Sequence, residues 1–452
     1  MRVVDHLRGQ APLPWAKPQA ELLLLALVAV VALSPVFVPN EQDGSRLCLS
    51  RALLAGHLHD DTCFLFTVDH SKYGGHLYSN KAPGMSALEI LPAEVVRLQS
   101  PEHWNHAPSL RLWAVHLFAS GLPFLLCVFL VGRLSEGLAP GFGAPALVAF
   151  GLGTLVAPLA ASGFDHLPAA FFGFLAFVLA WRRQPLAAGL AAGVALTTEY
   201  EAAATLLIVA GYAALQGRRA LLRYAAGAVP GVALLAAYDW AAFGAPWHNP
   251  LRYSDNAYNG PENSGLLGIH LPTLHATRHV FFGERGLLVA SPVVTAAAFG
   301  LVLLWRRGLR AEALTCAAVT AAFAVAECGY FIPYGGGSPG PRFLTPALPF
   351  LAVGLGPAFA RRRAATAVLA ALSIVAMTAI TMTWALAGPY QGSIWGELWR
   401  AARHGGSSPL AHALCKDVLT WWAGGAAGAL VVGILAVAAF AVAMRPAQEP
   451  VT

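Results

Sequence analysis

Charged residues are scarce in this sequence: Asp, Glu, Lys and Arg make up 12% of the 452 residues, whereas hydrophobic residues make up 57%. So few charges give too little polar surface to cover a water-soluble globule of this length. Repeated stretches of about ten residues that alternate polar and apolar side chains are also lacking, which argues against a transmembrane barrel. The composition therefore predicts an all-α integral membrane protein.

Several common functional motifs are missing as well. The six cysteines form no CxxC pair, and His and Cys lack the spacing of a structural zinc site. The glycine-rich run 335–340 lacks the spacing of Walker and dinucleotide-binding loops. The net charge of +6 comes from arginine clusters beside apolar runs, without interleaved aromatic residues. We therefore expect no nucleic-acid partner.

Apolar runs long enough to cross a bilayer of about 30 Å as helices recur along the chain. We place twelve spans near 20–39, 109–132, 145–162, 166–181, 185–198, 201–215, 221–243, 286–305, 312–333, 343–360, 364–387 and 418–443. Arginine clusters at 182–183, 218–219, 306–307 and 361–363 mark every second boundary. By the positive-inside rule this side is the cytoplasm, which puts both termini there and the long loops outside.

These spans divide the chain into three parts. Residues 1–19 form a cytoplasmic tail, and the first span is long and is not followed by a small-residue cleavage site, so we expect it to be retained. Residues 20–387 form the transmembrane bundle, which includes a large external loop at 40–108. Residues 388–452 supply a last external loop, the final span and a short tail.

The first external loop contains most of the polar features. Apolar side chains at three- and four-residue spacings predict interface helices at 46–58 and 85–98, and a third at 394–403. Cys48 and Cys63 are either paired in a disulfide across this loop or free buried thiols.

The run 185–215 is too long for one crossing and too short for two complete ones. Because arginine pairs stand at both of its ends, we predict a shallow hairpin whose tip is 197–201. Carboxylates at that depth are tolerated when they are buried in protein or face a wet cavity.

Carboxylates near the external surface are the candidate acid–base groups, because such a group could deprotonate or orient an attacking hydroxyl. They are Glu41 and Asp43 after the first span, Asp60, Asp61 and Asp69 later in the loop, and Asp165 beside His166 at the start of the fourth span. Each could equally be a solvated loop charge. Asp43 and Asp165 are favoured because both would lie at the rim of the bundle.

Cations in glycine- and proline-rich turns are the candidate phosphate ligands. Lys81 precedes Ala82 and Pro83, and Arg342 ends a glycine-rich run. Such backbone lets main-chain N–H groups approach an anion closely, and arginine can bind a phosphate bidentately. Arg252 and Arg285 could also bind phosphate, although lipid headgroup contact explains them as well. Histidines close to acids, at 57, 59, 103 and 106, would allow a divalent cation without firmly implying one.

Four segments resemble the GT-C glycosyltransferases that use polyprenyl-phosphate sugars, in particular bacterial members of the protein O-mannosyltransferase and aminoarabinose-transferase branch. They are GHLYSNKAPG at 75–84, TEY at 198–200, RGLL with SP at 285–292, and the run 335–346, which contains GPRFL. The resemblance implies a GT-C fold with an external active site in the bacterial cytoplasmic membrane. It also implies a polyprenyl-phosphate sugar donor and a glycan, lipid or protein acceptor.

The resemblance also assigns roles to residues. It places the catalytic carboxylate at Asp43, with Glu41 as its neighbour and Asp69 as the alternative base, and a second acid at Asp165. Lys81 takes a phosphate-binding position, although Asn80 stands before it where relatives often have Asp. The other expected substrate-binding residues are Tyr78, His166, Glu199, Tyr200, Arg285 and Arg342.

The sequence thus predicts an inverting glycosyltransferase, with a membrane transporter or lipid flippase as the alternative. A transporter would be expected to show an inverted repeat and charges at the membrane midplane. Here the polar residues crowd towards one outer face.

Overall fold

The computed structural model describes residues 13–15, 18–36, 39–103, 109–256, 259–266, 268–383, 395–396 and 426–444. The N-terminal part contains α1 (Pro18–Leu33), α2 (Glu41–Leu54), strands β1 (His70–Tyr73) and β2 (His76–Ser79), and α3 (Pro83–Val95). The central helices are α4 (Leu110–Leu138), α5 (Gly143–Gly153), α6 (Val156–Leu159), α7 (His166–Trp181), α8 (Pro185–Thr198), α9 (Ala203–Leu215) and α10 (Arg218–Phe243).

The C-terminal half continues the helical bundle. Its helices are α11 (Asn259–Glu262), α12 (Leu274–Phe282), α13 (Leu287–Ala290), α14 (Val293–Arg306), α15 (Arg310–Gly329), α16 (Leu348–Ala352), α17 (Leu355–Arg361), α18 (Arg363–Thr383) and α19 (Ala426–Ala443). Short 3₁₀ turns occur at Cys63–Phe66, Pro101–His103, Tyr200–Ala202, Pro250–Tyr253, Pro333–Gly335 and Arg342–Ala347.

Helical structure coincides with each of the twelve predicted segments, which confirms the helical membrane fold. Among the described residues, four helices are long and apolar enough to cross a membrane: Leu110–Leu138, Arg218–Phe243, Arg310–Gly329 and Arg363–Thr381. Two strongly bent helix pairs, Leu274–Ala290 with Val293–Arg306 and Arg342–Ala352 with Leu355–Arg361, raise this number to six. The total of twelve crossings stays a prediction.

The segment 40–108, which is predicted to be external, contains two helices close to where the sequence predicts them. Helix α2 begins at Glu41, five residues earlier than predicted, because the Asn40 side chain accepts from the amides of Gln42 and Asp43. The Asp43 carboxylate in turn accepts from the Asn40 amide at 2.8 Å, which completes a capping box. The early acids therefore lie in the first turn of a helix, not in a free loop.

Among the residues that the structure describes, a β-hairpin in the same loop is the one pair of strands that departs from the all-helical prediction. Strands β1 and β2 pair antiparallel around Gly74 and Gly75, which have φ of 59° and 90°. Two positive φ values in a two-residue turn favour glycine at both positions. The hairpin docks on a later loop, where Ser71 Oγ donates to the Pro250 carbonyl at 2.7 Å.

A disulfide ties this loop together. Cys48 on α2 is bonded to Cys63, so of the two alternatives open in the sequence the structure has the bridge. Cys127, Cys316 and Cys328 are free and buried. The third predicted interface helix falls largely outside the described residues, as does most of the 388–452 segment.

The predicted hairpin at 197–201 has its break where expected. Helix α8 ends at Thr198, Glu199 is extended with φ −150° and ψ 125°, and a 3₁₀ turn leads into α9. Below this break α8 packs against α10 through glycines, since a Cβ at Gly189 would lie 1.9 Å from the Tyr224 carbonyl oxygen. Such close backbone approach through small residues is typical of membrane helices.

Gly84→Ala is expected to destabilise the protein. A Cβ at Gly84 would lie 2.5 Å from the Thr197 carbonyl oxygen, so α3 and the break after α8 would have to separate. Overpacking of this kind costs roughly 1–3 kcal/mol. The measurement is the thermal midpoint of the detergent-purified protein. The matched control is Gly211→Ala on α9, where a Cβ would meet nothing within 4 Å. Equal midpoints in the two variants would contradict this close packing.

Candidate functional site

Two adjacent cavities lie where the segment 40–108 meets the bundle. The outer cavity has a volume of about 280 Å³ and the inner one about 70 Å³. Both are lined by Gln42, Lys81, Glu262, Tyr330 and Arg342. The outer cavity is also lined by Asn40, Glu41, Val68, Asp69, Phe164, Ile332 and Gly335 to Gly337. The inner cavity is also lined by Asn80, Ala82, Asp165, His166, Glu199, Tyr200, Glu201, Leu251 and Phe343. We call the two together the cleft.

Lys81 enters the cleft directly after β2. Its amide donates to Ser79 Oγ at 3.1 Å, and Ser79 Oγ lies 2.8 Å from Ser45 Oγ on α2, so the turn is fixed to that helix. The Lys81 ammonium lies 3.5 Å from the Asp69 carboxylate, and both side chains are 17% exposed. The hairpin thus brings a cation and a carboxylate together at the wall shared by the two cavities.

Arg342 reaches the cleft from the other half of the chain. Its guanidinium carbon lies 4.7 Å from the Phe164 ring centre and 5.4 Å from the Phe343 ring centre. Glu327 accepts a hydrogen bond from the Phe343 amide at 2.8 Å, which holds the backbone beside Arg342 in place. Positive φ at Gly335 and Gly336 lets the preceding loop fold close over the arginine side chain. The guanidinium also donates to the Gly337 carbonyl at 3.5 Å, and with five N–H groups it has donors left for ligand oxygens.

Asp165 lies at the inner end of the cleft and forms an ion pair with Arg46. The Arg46 Nη2 atom is 2.8 Å from Asp165 Oδ2, and Arg46 is fully buried. Arg46 also donates to the Gly163 carbonyl and to Gln42 Oε1. This arginine on α2, which the sequence analysis did not single out, therefore positions one of the predicted acids.

His166 and Glu199 complete a buried polar group with Asp165. His166 Nδ1 lies 3.0 Å from Glu199 Oε1 and 3.7 Å from Asp165 Oδ1. One ligand atom from each of the three residues lies within 4.8 Å of the others. A nitrogen and two carboxylate oxygens could hold a divalent cation here. The divalent cation considered from the sequence, beside the histidines at 57, 59, 103 and 106, stays a prediction.

Tyr200 lines the inner cavity and donates to Asp239 on α10 at 2.8 Å. Glu41 lines the outer cavity, where its carboxylate accepts from the Val68 amide at 2.9 Å. The structure therefore brings eight of the eleven predicted site residues to one cleft: Glu41, Asp69, Lys81, Asp165, His166, Glu199, Tyr200 and Arg342.

Asp43 does not line the cleft. Its side chain is 1% exposed, with Oδ2 in the capping box and Oδ1 3.2 Å from His116 Nε2. A Cβ at Gly163 would lie 2.0 Å from Asp43 Oδ1, so this carboxylate is closed in by backbone. Its position is that of a structural group between α2, α4 and the segment before α7.

Tyr78 and Arg285 also lie off the cleft. Tyr78 is buried against Phe243, with ring centres 5.2 Å apart. Arg285 is buried, donates to the Ser338 carbonyl at 3.4 Å and lies 5.7 Å from the Tyr334 ring centre. Arg285 thus supports the loop that leads to Arg342.

Asn80 and Glu262 line the cleft but were not assigned a role from the sequence. Both polar side-chain atoms of Asn80 are buried and have no hydrogen-bond partner within the described part of the chain. Buried polar atoms are usually satisfied by water or ligand when protein groups do not serve. Burial raises the pKa of the Glu262 carboxyl, and the nearby charge of Lys81 opposes this shift. Asn80 was recognisable from its place beside Lys81, whereas Glu262 carried no sequence signal.

The fold is shared with solved membrane proteins. ArnT from Cupriavidus metallidurans bound to undecaprenyl phosphate matches with a TM-score of 0.54 and 14% identity over 94% of this chain and 76% of that one. Its apo structure matches with a TM-score of 0.52 and 16% identity, over 94% and 75% of the two chains. Archaeal oligosaccharyltransferase AglB from Archaeoglobus fulgidus was solved with an inhibitory peptide and a dolichol-phosphate. It matches with a TM-score of 0.51 and 12% identity, over 84% of this chain and 57% of that one.

No protein-family model matches the sequence, and no curated protein matches it significantly. The solved structures confirm the predicted GT-C fold of a multi-pass membrane protein. The TM-scores of 0.51–0.54 show the shared fold, and identities of 12–16% show nothing beyond it.

Glu89→Gln is expected to flatten the pH dependence of stability. Burial raises the pKa of Glu89 on α3 to about 8, despite the opposing charges of His116 and Arg46. Between its usual pKa and 8, the folded chain keeps a proton that the unfolded chain releases. Stability should therefore fall as the pH rises from 5 to 8, by at most about 1.4 kcal/mol per unit.

The measurement is the thermal midpoint of the wild type and of Glu89→Gln from pH 5 to 8. The exposed Glu94→Gln on the same helix is the matched control, which should keep the wild-type slope. If the thermal midpoint of Glu89→Gln fell with pH as steeply as that of wild type, the Glu89 carboxyl would not be the group responsible for the pH dependence.

Proposed function

We propose that the protein is a glycosyltransferase that moves a sugar from a polyprenyl-phosphate donor to an acceptor, with inversion at the anomeric carbon. The observation that carries the proposal is the convergence of Lys81 and Arg342, from opposite halves of the chain, on one cleft lined by carboxylates. Arginine clusters at every second boundary support an outward-facing cleft in a bacterial cytoplasmic membrane. ArnT, which shares the fold, has been solved with undecaprenyl phosphate.

The two cations suit a lipid phosphate. Lys81 supplies a compact charge and Arg342 a planar set of donors, and phosphate oxygens accept from both. In a transfer from a lipid phosphate, negative charge builds up on the departing phosphate oxygen. Cations already held in place by Asp69, Phe164 and Phe343 would stabilise that charge without reorganising.

Asp69 is the base that the geometry favours. Its carboxylate faces the outer cavity beside Lys81, whereas the Asp43 carboxylate is enclosed and bonded within the protein. In the proposed step the acceptor hydroxyl gives its proton to Asp69 and its oxygen bonds to the anomeric carbon. The bond from that carbon to the phosphate oxygen breaks, and the electron pair stays on the polyprenyl phosphate beside Lys81 and Arg342.

The inner cavity suits the sugar hydroxyls. Asn80, whose donor and acceptor have no partner among the described residues, faces a space that is also lined by His166, Glu199 and Tyr200. Hydrogen bonds to a polyhydroxylated ring would satisfy these groups, which cannot all be satisfied by each other. The acceptor would then enter through the larger outer cavity, past Glu41 and Asp69.

The donor and acceptor can be identified by mass spectrometry of lipid-linked sugars and surface glycans in cells with and without the gene. Loss of the transferase should cause one polyprenyl-phosphate sugar to accumulate and one glycan signal to lose the matching mass. Transport of a solute or lipid by the purified protein in vesicles, with both pools unchanged, would instead support the transporter.

Lys81→Met is expected to weaken the binding of undecaprenyl phosphate about ten- to a hundredfold, because a charge-assisted contact is worth roughly 1.5–3 kcal/mol. Arg342→Lys should have a smaller effect, since it keeps the charge and loses the bidentate geometry. The measurement is the Kd of the purified protein for undecaprenyl phosphate. The matched control is Lys72→Met, which removes an exposed lysine from β1 of the same hairpin. Equal Kd values in all four proteins would refute phosphate binding at this cleft.

Asp69→Asn is expected to lower single-turnover transfer by about 10² to 10⁴-fold, the usual contribution of a general base, while donor binding changes little. Asp43→Asn should instead lower the thermal midpoint, because it removes a buried charge beside His116. Both variants are compared with wild type for rate, donor Kd and midpoint. A stable but inactive Asp43→Asn together with an active Asp69→Asn would return the role of base to Asp43.

A further inference from the structure

A second group of metal-ligating side chains lies in the first external loop, apart from the cleft. It consists of His59, Asp61 and His76, and none of the three lines either cavity. One ligand atom of each residue lies within 4.8 Å of the others. We call these three residues the loop cluster.

The carboxylate of Asp61 is the centre of the loop cluster. Its Oδ2 lies 2.8 Å from His76 Nδ1, and its Oδ1 lies 3.7 Å from His59 Nδ1. Oδ1 also accepts from the Leu77 amide at 2.7 Å. A backbone hydrogen bond to a carboxylate oxygen is the kind of support that orients metal ligands in known sites.

The surrounding backbone holds the three side chains together. Asp60 Oδ1 accepts from the amides of Thr62 and Cys63, and the Asp60 amide donates to the Leu77 carbonyl. Cys63 is bonded to Cys48, so the segment is tied both to β2 and to α2. The two-glycine turn places His76 at the start of β2.

The two imidazole rings face each other closely. The ring centres of His59 and His76 are 4.0 Å apart, with an angle of 33° between the ring planes. Their side chains are 35% and 47% exposed, so an ion can enter from solvent. Metal–nitrogen and metal–oxygen distances near 2.0–2.2 Å require only small shifts of these exposed side chains.

We propose that the loop cluster binds a divalent transition-metal ion of the Zn²⁺ class, independently of the proposed transferase cleft. Two imidazole nitrogens and one carboxylate oxygen match this class, whereas Mg²⁺ and Ca²⁺ prefer oxygen ligands alone. Three protein ligands leave the fourth tetrahedral position for water.

A bound ion would join the segment after α2 to β2. Strand β2 leads directly to Asn80 and Lys81, so the ion would brace the hairpin that carries part of the cleft. The disulfide already holds the same segment at Cys63, and the ion would add a second link at Asp61. The ion is therefore expected to stabilise this part of the loop.

The proposal is tested by titrating the full-length, metal-stripped protein in detergent with Zn²⁺ alone and measuring stoichiometry and affinity by calorimetry. We expect a site that the double variant His59→Ala/His76→Ala weakens at least tenfold. Zn²⁺ should also raise the thermal midpoint of wild type but much less that of the double variant. Co²⁺ should give a tetrahedral absorption spectrum in wild type that the double variant lacks.

Two single variants serve as controls for other histidine sites. His275→Ala disrupts a pair of stacked imidazoles on α12, where the ring centres of His275 and His279 are 6.3 Å apart. His166→Ala disrupts the buried group in the cleft. Both should keep the zinc equivalent that the double variant loses. The proposal would be overturned if the double variant bound Zn²⁺ with the stoichiometry and affinity of wild type. It would also be overturned if either control lost the zinc ion that the double variant loses.

Discussion

The buried ion pair between Arg46 and Asp165 is the interaction on which the cleft depends. Arg46 lies on α2 of the external loop, and Asp165 lies at the start of α7 in the bundle. Two charges removed from water are costly unless each has a partner with good geometry. Because Arg46 finds its partners outside α2 in Asp165 and the Gly163 carbonyl, the loop docks in one orientation. That orientation carries the hairpin, and with it Lys81, to the side of Arg342.

The same cost of burial separates structural acids from those available for chemistry. Asp43 and Glu89 are buried near Arg46 and His116, and Asp43 lies 3.2 Å from His116 Nε2 on α4. Asp69 and Glu41, from the same loop, open onto the outer cavity. Acids that look equivalent in the sequence therefore differ in their access to solvent. Those that face the cavity are in a position to exchange protons with a substrate.

Much of the fold could be predicted because it rests on local properties. Apolar length and arginine placement located the helices, and the arginine pairs around 185–215 required the break that the structure has at Glu199. Boundaries that depend on side-chain caps were less accurate: α2 starts early because Asn40 caps it. The Gly74–Gly75 turn is a hairpin signal that the sequence carried. The β-hairpin was missed because its strands are only four residues long and one of them pairs with the 250–254 loop, far away in sequence.

By itself the sequence determined a helical membrane protein with a polar external loop, a lysine in a tight turn and an arginine after a glycine-rich run. These features follow from hydrophobicity, charge placement and backbone preference, which act over a few residues. Only the tertiary structure decided which groups meet: Asp165 with Arg46, Lys81 with Asp69, and His59 with Asp61 and His76. Such contacts depend on how separate segments pack and on which charges can be buried in pairs. The spacing of residues along the chain determines neither the packing nor the pairing.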